Sequence, residues 1–159
     1  MTTERETILI VDDEEIVRQV IHRKLLTEGY HCLEAANADQ ALDQLKKNSI
    51  ELVILDIKMP VKSGAELLPE LKAAYPDIEV IMATGITDTD TAVQCMRQGA
   101  YDYITKPINF DEFVLTVERA LEMRRLRLIE SDEQYRVIFE SGLPPKKESS
   151  FSVRLELKI

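Results

Sequence analysis

The chain has 159 residues, of which 45% are hydrophobic and 31% charged, as is ordinary for a globular domain. Residues 1–118 carry 22 acidic against 11 basic side chains, so direct nucleic-acid binding is not expected, because phosphate contacts need clustered cations. Two isolated cysteines, a highly charged N-terminus and the lack of any run of roughly 18 apolar residues argue against a disulfide framework, a signal peptide and a membrane span. We therefore expect a cytoplasmic protein.

Short apolar segments alternate with amphipathic helical segments along the chain. The predicted strands are 7–11, 31–34, 51–55, 78–83 and 100–104. Parallel strands need crossovers, and right-handed crossovers place helices on both faces of a sheet. The alternation therefore predicts an α/β fold with a doubly wound, five-stranded parallel sheet. Its expected strand order is the flavodoxin-like 2-1-3-4-5, followed by an extended C-terminal helix.

The predicted helices have recognisable starts and apolar stripes. Three of them begin with a capping box, formed by Asn37 with Gln40, Ser63 with Glu66 and Asn109 with Glu112. The first helix is expected to bury Ile16, Val17, Val20, Ile21, Leu25 and Leu26, and the fourth Ala92, Val93 and Met96. His22 and His31 are expected on the surface or at an edge.

Asp56 directly follows the third predicted strand, after four apolar residues. An unbroken apolar run of this length is typical of a strand buried on both faces. The C-terminal edge of such a sheet is where ligands bind in open α/β folds. Taken alone, Asp56 fits a simple loop cap equally well.

Polar side chains also follow the neighbouring strands. They are Asp12 and Asp13 after strand 1, Thr84 after strand 4 and Lys106 after strand 5. Three carboxylates in one cleft repel one another, and a hard cation such as Mg²⁺ relieves this. An ammonium and a hydroxyl nearby suit phosphoryl oxygens, and a carboxylate can itself accept a phosphoryl group.

Four motifs carry a family resemblance: ILIVDDEE at 8–15, LVILDIKMPVKSG at 52–64, VIMATG at 80–85 and GAYDYITKP at 99–107. Over residues 5–125 the chain resembles the receiver domain of a two-component response regulator, of the CheY-like superfamily. The resemblance implies that Asp56 accepts a phosphoryl group from a histidine kinase or a phosphotransfer protein. It implies a signalling phosphoacceptor that catalyses only its own phosphorylation and dephosphorylation.

The resemblance also assigns a metal site. It implies that Asp13 binds Mg²⁺ (or Mn²⁺) directly, that Asp12 does so largely through water, and that Asp56 and the backbone carbonyl of Lys58 complete the protein ligands. Lys58 and Ile86 flank the route of the attacking water in this family. A bulky Ile86 is expected to slow hydrolysis of the phosphoryl group.

Further roles follow from the same resemblance. Thr84 and Lys106 would bind the phosphoryl group, and the Lys106–Pro107 peptide bond is expected to be cis. Tyr103 would be the switch aromatic, which turns inward when Thr84 moves. The change would reach the face formed by the fourth helix, the fifth strand and the fifth helix, which controls a downstream output domain or protein.

Three other functions fit these residues less well. A haloacid-dehalogenase-type phosphatase also uses a strand-end Asp, Mg²⁺ and a Lys, but needs a second acid two residues after the nucleophile, where Lys58 stands. A phosphorylation-independent interaction module predicts a broken pocket, whereas all five site residues are present. A nucleotide-binding enzyme is disfavoured, because the five glycines form neither a G-x-G-x-x-G motif nor a P-loop.

The last part of the chain divides in two. Residues 126–142 are expected to form a helical extension, and 131–142 resemble the opening of a PAS sensory module. Residues 143–159 end in FSVRLELKI, which alternates like a strand and is either native, the start of a truncated domain, or sequence added by cloning. A homodimer is suggested through the C-terminal helix or through the face of helix 4, strand 5 and helix 5.

Overall fold

The sheet has the predicted order and direction. In a computed structural model, which describes residues 5–141, five parallel strands lie in the order β2-β1-β3-β4-β5. The strands are β1 Thr7–Val11, β2 His31–Ala35, β3 Leu52–Asp56, β4 Glu79–Thr84 and β5 Asp102–Thr105. The last three strands begin and end later than predicted, so that Asp56 and Thr84 are themselves the last residues of β3 and β4.

Helices follow each strand. They are α1 Glu15–Thr27, α2 Ala38–Lys47, α3 Gly64–Ala74, α4 Thr89–Arg97 and α5 Phe110–Ser141, with a 3-10 turn over Ile86–Asp88 before α4. Contacts divide the chain into two units, Met1–Leu121 and Glu122–Ile159. The predicted tail at 143–159 lies outside the described residues. Within residues 5–141, no helix is both long and apolar enough to cross a membrane.

The strands bury both of their faces. Alternate residues point to opposite sides of a sheet, so Leu9, Val53 and Val80 lie in one core and Ile8, Leu52 and Ile81 in the other. The first core is closed by α2, α3 and α4, and the second by α1 and α5. Because each face is covered, the strands read as continuous apolar runs.

Two predicted helix stripes were partly wrong. On α1, Ile16 is 75% exposed and Val20 45%, while Ile21 and Leu25 are buried. The same correction applies to Leu26, to Val93 and to Met96, all of which are exposed, while Cys95 is buried beside Ala92. A short helix lying on a sheet buries only the narrow strip of residues three or four apart, so its flanking apolar residues face solvent.

Within residues 5–141, one of the three predicted capping boxes is complete and the other two form only in part. Ser63 and Glu66 form the full capping box. Asn37 accepts from the backbone N–H of Gln40, but the Gln40 side chain accepts from the N–H of Ala36 rather than from that of the cap residue. The oxygen Oδ1 of Asn109 accepts from the N–H groups of Asp111 and Glu112. These caps fix where α2, α3 and α5 start above the sheet edge.

Candidate functional site

Asp56 is held at the buried end of β3. This residue is only 6% exposed. The next residue, Ile57, donates to Ala83 of β4 and accepts from the N–H of Gly64, so the chain turns sharply over the strand end. A Cβ atom at Gly64 would lie 1.9 Å from the carbonyl oxygen of Asp56. Helix α3 can therefore start this close to β3 only because residue 64 is glycine.

Three carboxylates converge at this edge. Oxygens of Asp12, Asp13 and Asp56 all lie within 4.8 Å of one another. Asp12 and Asp56 are buried, whereas Asp13 is exposed. Asp12 accepts a hydrogen bond from the N–H of Glu14 at 2.9 Å, which orients one of its oxygens. We call these three residues the acid cluster.

Lys106 provides the positive charge opposite the acid cluster. Its Nζ atom lies 2.8 Å from Oδ2 of Asp12 and 3.3 Å from Oδ1 of Asp56. Its backbone N–H donates to the carbonyl of Thr84, which ties it to the end of β4, and the peptide bond to Pro107 is cis. One ammonium thus bridges the two buried acids of the cluster.

The environment changes the protonation of both partners. Burial, and then the charge of Asp12, raise the pKa of Asp56 to about 7, although Lys106 opposes this. Burial alone would lower the pKa of Lys106, but its hydrogen bond to Asp12 and the charge of Asp56 outweigh burial and raise that pKa. Asp56 therefore exchanges its proton near neutral pH while Lys106 stays charged.

The remaining predicted residues lie at the margin of this cluster. The hydroxyl of Thr84, which is fully buried, donates to the carbonyl of Gly85 at 3.0 Å. Tyr103 is half-buried against the core that α2, α3 and α4 close. The Lys58 ammonium pairs with Asp88 at 3.1 Å, and Ile86 is 70% exposed. Lys106 thus contacts Asp12 and Asp56 directly, and Asp13 lies beside them with a carboxylate oxygen within 4.8 Å of theirs.

The donor set of the cluster suits a small hard cation. Mg²⁺ binds oxygen at about 2.0–2.1 Å, so two ligands on opposite sides of it lie about 4.2 Å apart. The spacing of the carboxylate oxygens, within 4.8 Å, is close to this value. The exposed Asp13 leaves one side open for water or a phosphoryl oxygen. The residues present therefore fit Mg²⁺ or Mn²⁺.

Sequence analysis missed three residues behind the acid cluster. Arg18 donates to the carbonyl oxygen of Asp12 at 2.7 Å and pairs with Glu34 at 3.1 Å, and Glu34 in turn contacts His22. Arg18 and Glu34 are 16 residues apart and belong to different elements. Their pairing depends on how α1 packs beside β2, so no local pattern in the sequence indicates it.

Comparison with known proteins identifies the family. The family model of the response regulator receiver domain matches residues 8–118. A putative NtrX-like response regulator of Rickettsia felis is 39% identical over 138 residues, covering 86% of this chain and 29% of that protein. The DNA-binding transcriptional regulator NtrC of Escherichia coli K12 is 36% identical over 118 residues, covering 74% of this chain and 25% of that protein.

Solved structures agree with the sequence relatives. NtrX from Brucella abortus superposes with a TM-score of 0.80 at 38% identity, covering 84% of this chain and 30% of that one. A response regulator receiver domain protein from Clostridium thermocellum gives a TM-score of 0.73 at 34% identity, covering 76% of this chain and 98% of that one. The chain spans less than a third of the curated relatives it matches. The chain thus belongs to the response regulator receiver domain family, with a CheY-like fold.

Proposed function

We propose that Asp56 accepts a phosphoryl group from a histidine kinase or a histidine phosphotransfer protein. A carboxylate oxygen of Asp56 attacks phosphorus, the P–N bond to the donor imidazole breaks, and an acyl phosphate remains on Asp56. The observation that carries this proposal is the bridge from Lys106 to Asp12 and Asp56, at 2.8 and 3.3 Å. It supports the proposal because a cation beside Asp56 would neutralise charge on an incoming phosphoryl group.

The other residues of the site would position and neutralise charge. Asp12, Asp13, Asp56 and the backbone carbonyl of Lys58 would hold Mg²⁺, which neutralises phosphoryl oxygens when bound. Lys106 would transfer part of its contact from the two acids to a phosphoryl oxygen. The hydroxyl of Thr84 would give up its bond to Gly85 and donate to another of these oxygens.

Movement of Thr84 would be the start of the switch. Thr84 and Thr105 are paired across β4 and β5, and Tyr103 lies two residues earlier on β5. When the Thr84 hydroxyl turns toward the phosphate, we propose that the half-buried ring of Tyr103 turns further inward. The face formed by α4, β5 and α5 would then change and bind or release an output domain or protein.

The best test is intact-mass measurement after incubation with acetyl phosphate and Mg²⁺. We expect one added phosphoryl group, which Asp56→Asn abolishes. Asp90→Asn is the matched control, because Asp90 is an exposed acid on α4. No mass increase, or an increase that survives Asp56→Asn, would refute the proposed function.

The phosphatase alternative has less support from this site. It requires an acid two residues after the nucleophile, and Lys58 at that position forms an ion pair with Asp88 at 3.1 Å. We therefore propose a signalling domain that catalyses only its own phosphorylation and dephosphorylation. Turnover of a free phosphate ester by the purified chain, lost in Asp56→Asn, would favour the phosphatase instead.

We propose that Ile86 tunes the lifetime of the phosphoryl group. It begins the 3-10 turn two residues after Thr84 and is 70% exposed, so it is free to cover or uncover the path of the attacking water. Ile86→Ala should speed dephosphorylation several-fold, measured by loss of phosphorylated mass over time. Val93→Ala is the control, because Val93 is also apolar and exposed but lies on α4 and not in the 3-10 turn. Equal rates for Ile86→Ala and the unmodified chain would remove this role.

The partners follow from the same proposal. Beyond the kinase, an output module is expected because the relatives named above are several times longer than their match to this chain.

We propose a homodimer through the later part of α5, where Met123, Leu126 and Ile129 are each about half exposed and share one side of the helix. Sedimentation of Leu126→Glu against the unmodified chain tests this, and unchanged association would exclude it. A cytoplasmic location stays a prediction.

A further inference from the structure

A polar network lies behind the acid cluster and reaches Asp12 through its backbone. Nη1 of Arg18 donates to the Asp12 carbonyl oxygen at 2.7 Å, and Nε donates to Oε1 of Glu34 at 3.1 Å. The other Glu34 oxygen lies 2.6 Å from Nδ1 of His22. The Arg18 side chain is 14% exposed, so these charge-assisted bonds are partly shielded from water. We call Arg18, Glu34 and His22 the Arg18 network.

The Arg18 network helps to hold the backbone of Asp12 in place. The Asp12 N–H donates to the Ala35 carbonyl at 3.1 Å, and its carbonyl accepts from Arg18, so both sides of its backbone are held. The peptide unit that joins Asp12 to Asp13 is planar. Fixing the Asp12 carbonyl therefore fixes the plane from which the Asp13 backbone departs. Within residues 5–141, the Asp13 carboxylate has no hydrogen-bond donor of its own, so its direction depends on that backbone.

Arginine suits this position better than lysine would. The guanidinium group donates in two directions from one rigid plane, so it can bind Glu34 and the Asp12 carbonyl together. Glu34 is in turn held by two groups, Arg18 and His22, which limits the directions that Arg18 can take. The ammonium group of a lysine could donate to one of these two acceptors, but it has no rigid planar set of N–H groups that would orient it toward both.

We propose that Arg18 is a positioning residue for the pair Asp12 and Asp13, and that Glu34 and His22 hold it in place. This rests on the proposed function, in which the acid cluster binds Mg²⁺ or Mn²⁺. Groups that orient metal ligands are worth about 10–100-fold in metal affinity. Removal of the Arg18 side chain should therefore weaken cation binding although all three carboxylates of the acid cluster remain.

The test is the affinity of the purified chain for Mn²⁺, measured from the electron paramagnetic resonance signal of the free ion. Arg18→Met should weaken binding about tenfold, and Arg18→Lys should fall between Arg18→Met and the unmodified chain. Arg23→Met is the charge-matched control, because Arg23 is an exposed residue on the same helix. Ile21→Val is the packing control, because Ile21 is buried on α1 and its side chain forms none of the bonds of the Arg18 network.

Charge alone predicts the opposite result. Removing a cation near three acids should favour a divalent ion, so weaker binding in Arg18→Met cannot come from the lost charge. Binding by Arg18→Met that equals or exceeds that of Arg23→Met would overturn this role. Equal weakening in Ile21→Val would also overturn it, because it would reduce the effect to helix packing. The intact-mass test above is independent, so this role can fail while phosphorylation of Asp56 stands. An unmodified chain that binds no Mn²⁺ would also overturn this role, and the intact-mass test alone would then decide phosphorylation.

Discussion

Lys106, beyond the end of β5, donates to Oδ2 of Asp12, beyond the end of β1, at 2.8 Å, although 94 residues separate them in the chain. This bond joins two strand ends across the site. The bond also balances charge, because Asp12 is only 2% exposed and its carboxylate would otherwise face that of Asp56 without a cation. The first prediction concerns what happens when that cation is removed.

We expect Lys106→Met to lower the free energy of unfolding by roughly 2 kcal/mol, measured by urea denaturation without Mg²⁺. Removing one partner from a fully buried ion pair costs about 3–5 kcal/mol, and the 22% exposure of Lys106 reduces this. Lys47→Met is the control, because the exposed pair of Lys47 with Asp43 should contribute almost nothing.

A double mutant separates charge balance from packing. In Lys106→Met two buried acids, Asp12 and Asp56, lose their shared cation, whereas in Asp12→Asn/Lys106→Met only Asp56 does. The stability loss of the double mutant should therefore be smaller than the sum of the two single losses. Losses that simply add would show that Lys106 acts through its aliphatic stem and not through its charge.

The second prediction is a pH dependence set by Asp56. Its pKa is about 7 in the folded chain, against an ordinary value of 3.8 for an aspartic acid side chain. Between about pH 4 and 7, the folded chain therefore holds a proton that the unfolded chain releases, and stability falls as pH rises through this window. Asp56→Asn should remove this fall and be more stable than the unmodified chain at pH 8, by on the order of a few kcal/mol.

The measurement is thermal unfolding of both chains at pH 5 and pH 8 without metal. The advantage of Asp56→Asn should be large at pH 8 and shrink toward pH 5. Mg²⁺ should stabilise the unmodified chain at pH 8, by about 2.7 kcal/mol at a hundred times its dissociation constant. If the unmodified chain and Asp56→Asn had equal melting temperatures at pH 5 and again at pH 8, burial would not raise the pKa of Asp56.

Patterns in the sequence predicted those features that depend on local order. Apolar runs and their turns predicted five parallel strands, and the sheet order then brought Asp12, Asp56 and Lys106 together, because parallel strands end at one edge. The predictions that were wrong concern the burial of helix side chains, which depends on contacts with other elements of the fold. Whether Ile16 or Cys95 is buried is decided by how each helix lies on the sheet, which periodicity alone does not determine.

The Arg18 network shows the same limit at the site. The bond of Arg18 to the Asp12 carbonyl joins a side chain to a backbone atom, and any residue type offers that carbonyl. No residue pattern marks such an acceptor. The exposure of Ile86 likewise depends on the short 3-10 turn that precedes α4.

The third prediction compares two glycines near Asp56. Gly64→Ala should be strongly destabilising, by about 3 kcal/mol, because its Cβ would lie 1.9 Å from the Asp56 backbone oxygen and neither α3 nor β3 can shift cheaply. Gly85→Ala should cost far less. Gly85 has a φ of −70°, and its Cβ would meet only the Asp88 carboxylate, at 3.2 Å.

Urea denaturation of the two alanine variants side by side checks this prediction. The comparison isolates contact from chain entropy, since both changes remove the same glycine flexibility from the unfolded chain. Similar stability losses for the two variants would mean that α3 does not depend on its close approach to Asp56.

The last prediction concerns Val61, in the turn between β3 and α3. Its φ is +71° and its side chain is fully exposed. A β-branched residue in the left-handed region is strained, by about 1–3 kcal/mol, and here no burial offsets the strain. Val61→Asn should therefore raise the free energy of unfolding by about 1 kcal/mol, because asparagine tolerates this backbone conformation. Val61→Gly should gain less, since glycine makes the unfolded chain more flexible.

Val61→Ala decides whether the backbone is the cause. Alanine removes the exposed apolar side chain but keeps the Cβ atom that disfavours a φ of +71°. It should therefore gain clearly less than Val61→Asn in the same urea titration. If alanine gains as much as asparagine, the benefit comes from losing an exposed valine, and the turn after Asp56 is not strained at residue 61.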